Sequence, residues 1–447
     1  MKRTIKPARK IGGTLTVPGD KSIAHRAALL SILSQRPLVV RNFPENADCG
    51  RSLAAAKALG VRIEKTDDGL TLHPPDKLNQ PSDAVIDCGN SGTTARLLSG
   101  LIAGSGLTVT LTGDESLSRR PMKRVIDPLT AMGAELHGDH GHLPLRIVGR
   151  KLLPFEYTLK VPSAQVKSAL LLAGLASNCS VVVREEVPTR DHTEIMLGSI
   201  GEGVSVREVK PVIEPDPVDP RRKRTRMPET FKREVIMTAQ ARIAGGEIDI
   251  PGDISTAAFF LAAAAIAGKS VTITNIGLNP LRTEFLDHLK AIGCTVNISD
   301  KLTISGETRG TVSVTGGNLK GRKLHGESIV GLIDEIPVIA VMAAFAEGTT
   351  IIRDAVELRV KESDRLASVS ENLRGMGVKC GLLEDGLVIE GRKEINGVDI
   401  VTFGDHRIAM AFSIAALFAV GPSTIDDDSV VAISCPQFYD LLGSIVS

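Results

Sequence analysis

The sequence predicts an α/β protein of two domains, each built from repeated copies of one βα unit. The first observation is length, because 447 residues exceed the roughly 250–300 that one hydrophobic core supports. The second is a repeated start, Pro18-Gly19-Asp20 and Pro251-Gly252-Asp253, which twice precedes an Ala-rich apolar segment. The third is the order after each start: an apolar helix, a β-branched strand, a second helix and a turn into another strand.

The two stronger copies of the unit match pattern by pattern. The helix, the strand and the turn fall at 27–30, 38–42 and 58–61 in the first copy, and at 261–264, 271–275 and 291–294 in the second. Four weaker copies begin near Gly89, Pro162, Asp334 and Gly404. Six units in a chain of 447 residues divide naturally into two domains of three units each.

The overall charge predicts no polyanionic partner. The chain has 53 Lys and Arg against 52 Asp and Glu, so any anion site must be local. The basic run Arg221–Arg226 lies in a segment rich in proline and charge, 211–247, which suits an excursion near a domain boundary. Because no aromatic residues interleave with the run, we expect a solvated loop and no nucleic-acid partner.

Cysteine usage and hydropathy favour a cytoplasmic protein. The six cysteines form no CxxC pair, which predicts reduced, individually packed thiols and neither a disulfide framework nor a zinc site. The basic first residues lead into no apolar signal region. The longest apolar stretches, 257–267 and 408–420, fall short of the ~20 residues that span a bilayer, so we expect buried helices and no membrane partner.

Positively charged residues stand where helices are predicted to begin. Lys21 and Arg26 open the first apolar helix, and Arg407 follows Asp405 at the start of the last one. A cation in the first turn opposes the helix dipole and costs some tenths of a kcal/mol unless an anion is present. Because backbone N–H groups at a helix start and guanidinium groups both bind anions, these positions predict local anion sites.

A glycine-rich turn adds another candidate anion site. The segment Gly89-Asn90-Ser91-Gly92-Thr93-Thr94 precedes an apolar helix, and Arg120 comes before Pro121 at a further helix start. Gly92 permits close approach to the backbone, and the neighbouring hydroxyls can donate hydrogen bonds. Such a turn alone is weak evidence for an anion site, but the cations at the helix starts of the other repeats strengthen the prediction.

The densest charge cluster is Arg359-Val360-Lys361-Glu362-Ser363-Asp364-Arg365. An ordinary salt-bridged helix surface has the same pattern. However, Asp334-Glu335 leads directly into the apolar segment 336–345, where unpaired acids are costly. The two segments together predict a candidate base beside candidate acids.

Six motifs in order resemble the 5-enolpyruvylshikimate-3-phosphate (EPSP) synthase family essentially end to end. They are Gly19-Asp20-Lys21-Ser22-x-x-His25-Arg26, Gly89-Asn90-Ser91-Gly92-Thr93, Arg120-Pro121-Met122, Ser163-Ala164-Gln165-Val166-Lys167-Ser168, the 359–365 cluster and Asp405-His406-Arg407. The fourth motif and Thr189-Arg190-Asp191-His192-Thr193-Glu194 resemble the bacterial branch called class II.

The resemblance implies a two-domain inside-out α/β barrel, the enolpyruvyl transferase fold, with six βαβαββ repeats arranged three per domain. Carried over to this chain, residues 1–19 and 249–447 form a discontinuous domain I, and residues 20–248 form domain II. The implied active site lies in the interdomain cleft, at the helix N-termini.

The implied reaction transfers the enolpyruvyl group of phosphoenolpyruvate to the 5-hydroxyl of shikimate 3-phosphate. Phosphate leaves through a non-covalent tetrahedral intermediate, without metal or organic cofactor, as a step of aromatic amino-acid biosynthesis and the target of glyphosate. Asp334 is the implied base, and either Lys361 or Glu362 protonates the enol methylene, with Lys21 as a further catalytic residue. Gly92 stands where some class II members carry alanine and tolerate glyphosate, which leaves the inhibitor response open.

The same resemblance assigns the binding residues. The implied contacts of shikimate 3-phosphate are Lys21, Ser22, Arg26, Ser163, Gln165, Arg190, Asp334 and Lys361. The implied contacts of phosphoenolpyruvate are Lys21, Gly92, Arg120, Gln165, Arg365 and Arg407. We expect no further partners and a monomeric protein.

Two alternatives remain at this point. The first is the related transferase that acts on UDP-N-acetylglucosamine, which uses a loop cysteine as its acid; residues 114–120 contain none. The second is a non-catalytic module that binds anions or RNA ends on the same scaffold. Asp334 and Glu362 argue against it, because a binding module does not need a base and an acid.

Overall fold

A computed structural model describes residues 1–215 and 223–446 of the chain. The α-helices of eight residues or more are Lys21–Leu30, Ala47–Ala58, Gly92–Ser105, Lys123–Ala131, Ala164–Ser177, His192–Ile200, Ile254–Ala267, Glu284–Ala291, Ile336–Ala344, Arg365–Gly375, His406–Ala416 and Phe438–Ile445. Two shorter α-helices are Glu115–Ser118 and Ser328–Leu332. The first apolar helix begins at Lys21 and the last repeat's helix at His406, so Lys21 and Arg407 lie in first turns. Arg26 is the sixth residue of its helix and lies in the second turn.

The chain divides into two compact units. The first contains Met1–Ala24, Val40–Gly50 and Asp249–Ser447, and the second contains His25–Val39 and Arg51–Ile248. This division places residues 20–24 and 40–50 in the first unit, whereas the sequence assigned them to domain II. The domain boundaries implied by the family resemblance stay a prediction.

The described part of the first unit contains three sheets. Their strands, in spatial order, are Arg3–Ile5, Ser423–Ile425 and Asp399–Ile400; then Thr295–Ile304, Glu307–Thr315, Ser270–Gly277 and Gly13–Thr16; and then Lys323–Leu324, Thr349–Ile352, Leu387–Glu390 and Lys379–Leu382. Each sheet joins one parallel pair to antiparallel neighbours. This shared topology matches the repeats near Pro251, Asp334 and Gly404.

Among the described residues of the second unit, two sheets have the same arrangement of strands. Their strands, in spatial order, are Val85–Asp87, Thr108–Thr112, His142–Val148 and Glu135–Asp139; and then Phe155–Thr158, Val181–Glu185, Arg233–Ile243 and Gly201–Glu208. A further sheet has the order Gly246–Asp249, Leu38–Arg41, Gly69–His73 and Arg62–Thr66, and the division of the chain falls within its first two strands. Among the described residues, six sheets therefore correspond to the six predicted units.

The segment 211–247, predicted to be a connection near a domain boundary, is largely β-structure in its described residues. Val212–Pro215 pairs antiparallel with Lys223–Arg226, and Arg233–Ile243 is a long sheet strand. The prediction of a loop was therefore wrong for the last four residues of the basic run, because backbone pairing with the preceding strand overrides their charge. Arg221 and Arg222 lie outside the described residues.

The core of the first unit is built from helices that are apolar on all sides. Ile254–Ala267, Ile336–Ala344 and His406–Ala416 are buried along most of their length and pack against one another. The ring of Phe438 closes this core at 6.0 Å from the Phe259 ring. Helices without a polar face can exist only inside a core, which agrees with the prediction of buried helices.

Two glycines let helices approach closely in the second unit. Gly100 and Gly104 lie on one face of Gly92–Ser105, against Ala169 and Ala173 of the neighbouring helix. A β-carbon at either glycine would overlap the opposing backbone carbonyl. The two helix N-termini, which carry Gly92 and Gln165, are thereby held together.

The six cysteines are buried and unpaired, in agreement with the prediction of reduced, packed thiols. Within the described ranges, none of the helices combines the length and hydropathy needed to cross a bilayer.

Candidate active site

The two Pro-Gly-Asp segments pair with each other inside the first unit. Gly19 and Gly252 form an antiparallel bridge, in which Asp20 N donates to Pro251 O at 2.8 Å and Asp253 N donates to Pro18 O at 2.9 Å. Asp20 Oδ1 accepts from the backbone N–H of Ile23, in the first turn of Lys21–Leu30. This pairing fixes the direction of the helix that presents Lys21 and Ser22.

The Lys21 ammonium lies in a partly buried environment with charges of both signs. Its Nζ donates to Asp48 Oδ2 at 2.6 Å. Burial and Arg407 disfavour the charged amine, but Asp48 and Glu362 outweigh them, so the pKa of Lys21 is raised. The ammonium therefore stays protonated at neutral pH.

Asp334 is the centre of the second cluster in this unit. Its carboxylate lies 3.5 Å from Arg365 Nη1, 3.7 Å from Arg407 Nη2 and 4.0 Å from Lys361 Nζ. Arg407 Nη1 also donates to the backbone carbonyl of Asp334 at 2.8 Å. One carboxylate thus faces three cations, so a group that can accept a hydrogen bond from a hydroxyl lies among positive charges that attract anions.

Arg365 is held by carboxylates on both sides. Its Nε donates to Asp405 Oδ2 at 2.8 Å and its Nη2 to Glu362 Oε2 at 2.5 Å. Burial opposes the charge of the guanidinium, but these carboxylates and Asp334 raise the pKa of Arg365. Because the side chain is only 1% exposed, its position is fixed by these contacts.

The two helices that carry Arg365 and Arg407 are capped by aspartates. Asp364 accepts from Ala367 N at 3.1 Å, and Asp405 accepts from Arg407 N at 2.8 Å. Burial raises the pKa of Asp405, but Arg365 outweighs it and the pKa is lowered on balance. Local capping therefore orients both arginines at helix starts, where an anion is favoured.

The imidazole of His406 is almost completely buried beside this cluster. Burial, followed by the positive charge of Lys21, lowers its pKa to about 3. The ring is therefore neutral at physiological pH.

In the second unit, Arg26 is anchored on two helices. Its Nε donates to Thr193 Oγ1 at 2.7 Å, and its Nη2 donates to Ser168 Oγ at 2.9 Å. The hydroxyls of Ser168 and Thr193 are themselves 2.7 Å apart. The guanidinium is thus held in place by hydroxyl groups of both helices.

Gly92, Arg120 and Gln165 also meet in the second unit. Arg120 Nη2 donates to Asn90 Oδ1 at 2.5 Å and to Ser116 Oγ at 3.1 Å. A β-carbon at Gly92 would lie 3.4 Å from Arg120 Nη1. The missing side chain at Gly92 therefore lets the Arg120 guanidinium lie close to a helix N-terminus.

Arg96 links Gly92 to Gln165. Its Nη1 donates to Gln165 Oε1 at 3.0 Å, and a β-carbon at Gly92 would approach the same nitrogen to 2.7 Å. Gln165 Nε2 donates in turn to Thr93 Oγ1 at 3.0 Å. Ser163 caps the helix of Gln165, accepting from Val166 N at 3.4 Å. Arg190 is half-buried, two residues before His192–Ile200.

The sequence-predicted residues therefore assemble in two groups, each inside one unit. The first unit holds Lys21, Ser22, Asp334, Lys361, Glu362, Arg365 and Arg407. The second unit holds Arg26, Gly92, Arg120, Ser163, Gln165 and Arg190.

Sequence reasoning missed three buried partners of these residues. Asp48 and Arg282 belong to patterns that look like ordinary helix and loop sequence, and nothing in their spacing marks them. Arg96 could have been found, because it lies four residues after Gly92 and so shares its helical face. Within 1–215 and 223–446, no cluster of three or more His, Cys, Asp or Glu side chains could hold a metal ion.

Comparisons with known proteins agree along the whole chain. The family model described as EPSP synthase (3-phosphoshikimate 1-carboxyvinyltransferase) matches residues 5–228 and 228–442. A 3-phosphoshikimate 1-carboxyvinyltransferase from Anaeromyxobacter sp. (strain K) is 44% identical over 447 residues, covering 99% of this chain and 96% of the relative. One from Geobacter metallireducens is 43% identical over 451 residues, covering 99% of both.

Solved structures give the same result for the fold. An EPSP synthase structure from Acinetobacter baumannii, at 2.37 Å resolution, is 36% identical with a TM-score of 0.81, covering 100% of this chain and 98% of that chain. The predicted two-domain inside-out α/β fold of the enolpyruvyl transferases is thereby confirmed. With full-length matches in sequence and in fold, and with the six motifs in place, this chain belongs to the EPSP synthase family.

Proposed function

We propose that the chain transfers the enolpyruvyl group of phosphoenolpyruvate to the 5-hydroxyl of shikimate 3-phosphate and releases phosphate. The observation that carries this proposal is the Asp334 carboxylate facing Lys361, Arg365 and Arg407. A carboxylate among cations can accept a hydroxyl proton, while the cations bind an anionic substrate. A module that only binds anions has no use for a carboxylate that repels them.

The chemistry follows from the groups of the first unit. Asp334 accepts the proton of the 5-hydroxyl as its oxygen attacks C2 of phosphoenolpyruvate, while the methylene carbon is protonated. Lys361 and Glu362 are the two candidate donors of that proton. Loss of phosphate from the tetrahedral adduct, with return of a methyl proton to the protein, regenerates the enol ether. Lys21, Arg365 and Arg407 stabilise the negative charges of the phosphoenolpyruvate carboxylate and of the departing phosphate.

The two groups of side chains divide the substrate contacts. For shikimate 3-phosphate we propose Lys21, Ser22, Asp334 and Lys361 in the first unit, and Arg26, Ser163, Gln165 and Arg190 in the second. For phosphoenolpyruvate we propose Lys21, Arg365 and Arg407 in the first unit, and Gly92, Arg120 and Gln165 in the second. The anchored guanidinium of Arg26 and the close approach of Arg120 to the helix N-terminus at Gly92 support these assignments, because guanidinium groups and helix N-termini both bind anions.

Phosphate release from phosphoenolpyruvate tests the proposal. The purified chain is incubated with phosphoenolpyruvate and either shikimate 3-phosphate or UDP-N-acetylglucosamine as acceptor. We expect turnover with shikimate 3-phosphate alone. Turnover only with the sugar nucleotide, or with neither acceptor, would reject the proposed function.

A further inference from the structure

We propose that Arg282 is a positioning residue for this enolpyruvyl transfer. It fixes the start of the helix that carries Ser22 relative to the Asp334-Glu335 segment. The inference rests on the proposed function. Arg282 lies in the loop before Glu284–Ala291 and was not among the residues that the sequence motifs singled out. Its side chain is only 4% exposed, and all the contacts described below lie within the first compact unit.

Arg282 binds the two aspartates that end the Pro-Gly-Asp segments. Its Nη1 lies 3.0 Å from Asp20 Oδ2, and its Nη2 lies 3.4 Å from Asp253 Oδ1. Burial disfavours the charge, but Asp20, Asp253 and then Glu335 and Asp334 raise the pKa of Arg282. One guanidinium therefore neutralises two carboxylates that are brought together by the pairing of the repeats.

Both aspartates cap helices, so Arg282 fixes two helix starts at once. Asp20 Oδ1 accepts from Ile23 N at 3.0 Å, and Asp253 Oδ1 accepts from Ser255 N at 2.8 Å. The first of these helices presents Lys21 and Ser22. A shift of Asp20 would therefore move the proposed substrate contacts of this helix start.

The same guanidinium contacts Ser22 on one side and is linked through Ser255 to Glu335 on the other. On one side, Nη1 lies 3.5 Å from Ser22 Oγ. On the other side, Nη2 donates to Ser255 Oγ at 2.8 Å, and Ser255 Oγ donates to Glu335 Oε1 at 2.5 Å. Glu335 is adjacent to Asp334 in the chain. These contacts connect the proposed substrate-binding helix start to Glu335, the residue next to the candidate base.

Lysine cannot reproduce these contacts. A guanidinium presents five N–H donors in one plane, whereas an ammonium is a compact charge on a flexible stem. In Arg282→Lys the charge is kept, but one nitrogen cannot reach Asp20 and Ser255 together. The substitution therefore separates positioning from charge neutralisation.

Arg309 provides a matched control in the same unit. It is also only 4% exposed, and its Nη1 lies 2.9 Å from Asp249 Oδ1 and 3.3 Å from Asn275 Oδ1. None of these partners is a proposed substrate contact. Arg309→Lys thus also replaces a buried guanidinium that pairs with a carboxylate. It leaves the contacts between Ser22, Arg282, Ser255 and Glu335 unchanged.

The experiment compares wild type, Arg282→Lys and Arg309→Lys by urea unfolding and by steady-state kinetics with both substrates. We expect both variants to lose stability, because each arginine side chain is only 4% exposed and is paired with a carboxylate. Only Arg282→Lys should raise the KM for shikimate 3-phosphate, by about tenfold or more, with a fall in kcat. Arg309→Lys should keep the wild-type KM.

A wild-type KM in Arg282→Lys, or an equal rise in Arg309→Lys, would overturn the inference while wild-type turnover upholds the proposed function. Absence of turnover in the wild type would overturn both. If Arg282→Lys does not fold, Ser255→Ala replaces it, since this variant cuts the link from Arg282 to Glu335 and keeps every charge. We expect Ser255→Ala to lower kcat several-fold, and an unchanged kcat would reject the positioning role.

Discussion

The Lys21 ammonium donates a 2.6 Å hydrogen bond to Asp48, a residue 27 positions away in the sequence. Neither side chain is well exposed to solvent, so the pair interacts with little screening. Asp48 is the largest factor that keeps Lys21 protonated against its burial and the nearby charge of Arg407. The proposed substrate contact thus depends on a carboxylate that belongs to none of the sequence motifs.

Asp48→Asn should shift the alkaline limb of the pH profile. Without the carboxylate, burial and Arg407 prevail, so the pKa of Lys21 falls and the amine loses its proton at lower pH. We expect the alkaline limb of kcat/KM for phosphoenolpyruvate to move down by about one pH unit or more. The control is Asp127→Asn, which removes an exposed carboxylate paired with Lys123 and should leave the limb in place. An unshifted limb in Asp48→Asn would show that Lys21 does not control the profile.

Asp334→Asn should abolish most of the turnover while leaving the fold intact. The amide is of the same size and keeps the backbone contact to Arg407, but it cannot accept the hydroxyl proton. We expect kcat to fall by roughly 10²–10⁴, the usual contribution of a general base. Steady-state phosphate release measures the loss, with Asp287→Asn as a surface control. A kcat within threefold or so of wild type would remove Asp334 from the role of base.

Gly92→Ala should weaken phosphoenolpyruvate binding without unfolding the protein. The new β-carbon would lie 2.7 Å from Arg96 Nη1, and the end of this side chain must move away. Because Arg96 holds Gln165, the displacement spreads to a second proposed substrate contact. We expect a several-fold rise in the KM for phosphoenolpyruvate and little change in the unfolding midpoint.

Gly198→Ala is the matched control for this substitution. Gly198 lies in His192–Ile200, and a β-carbon there meets no atom within 4 Å. We expect unchanged kinetics and a gain of about 0.5–1 kcal/mol, since alanine restricts the unfolded chain and favours the helix. Equal KM values for the two alanine variants would contradict the proposed role of Gly92.

Stability should fall as the pH decreases from about 6.5 towards 4. Burial lowers the pKa of His288 to about 4 and that of His406 to about 3, while an unfolded histidine titrates near 6.5. In this window the unfolded state binds more protons, so each imidazole removes up to about 1.4 kcal/mol of stability per pH unit. Above pH 6.5 both forms are neutral and the effect disappears.

His288→Gln should make this pH dependence shallower. Urea unfolding at pH 7.0, 5.5 and 4.5 measures it, and His140→Gln, whose imidazole is 96% exposed, should keep the wild-type slope. An identical slope in all three proteins would mean that His288 does not titrate on unfolding.

The repeats were predictable because their signals are local. Alternating apolar helices and β-branched strands recur in the sequence, and hydrophobic periodicity alone predicts such elements. The helix starts at Lys21, Arg365 and His406 follow from capping aspartates one residue earlier, which is also a local signal. The strand Lys223–Arg226 was missed for the complementary reason, because its pairing with Val212–Pro215 outweighs its charged composition.

The sequence by itself determined the α/β class, the sixfold repetition, the cations at helix starts and the family. Only the tertiary structure decided which charges meet: Asp48 with Lys21, Arg365 with both Asp405 and Glu362, and Arg282 with both repeated aspartates. Local sequence specifies helices and caps through interactions within a few residues. Buried ion pairs join residues up to 262 positions apart, and their partners are selected by packing geometry and desolvation, which no local pattern encodes.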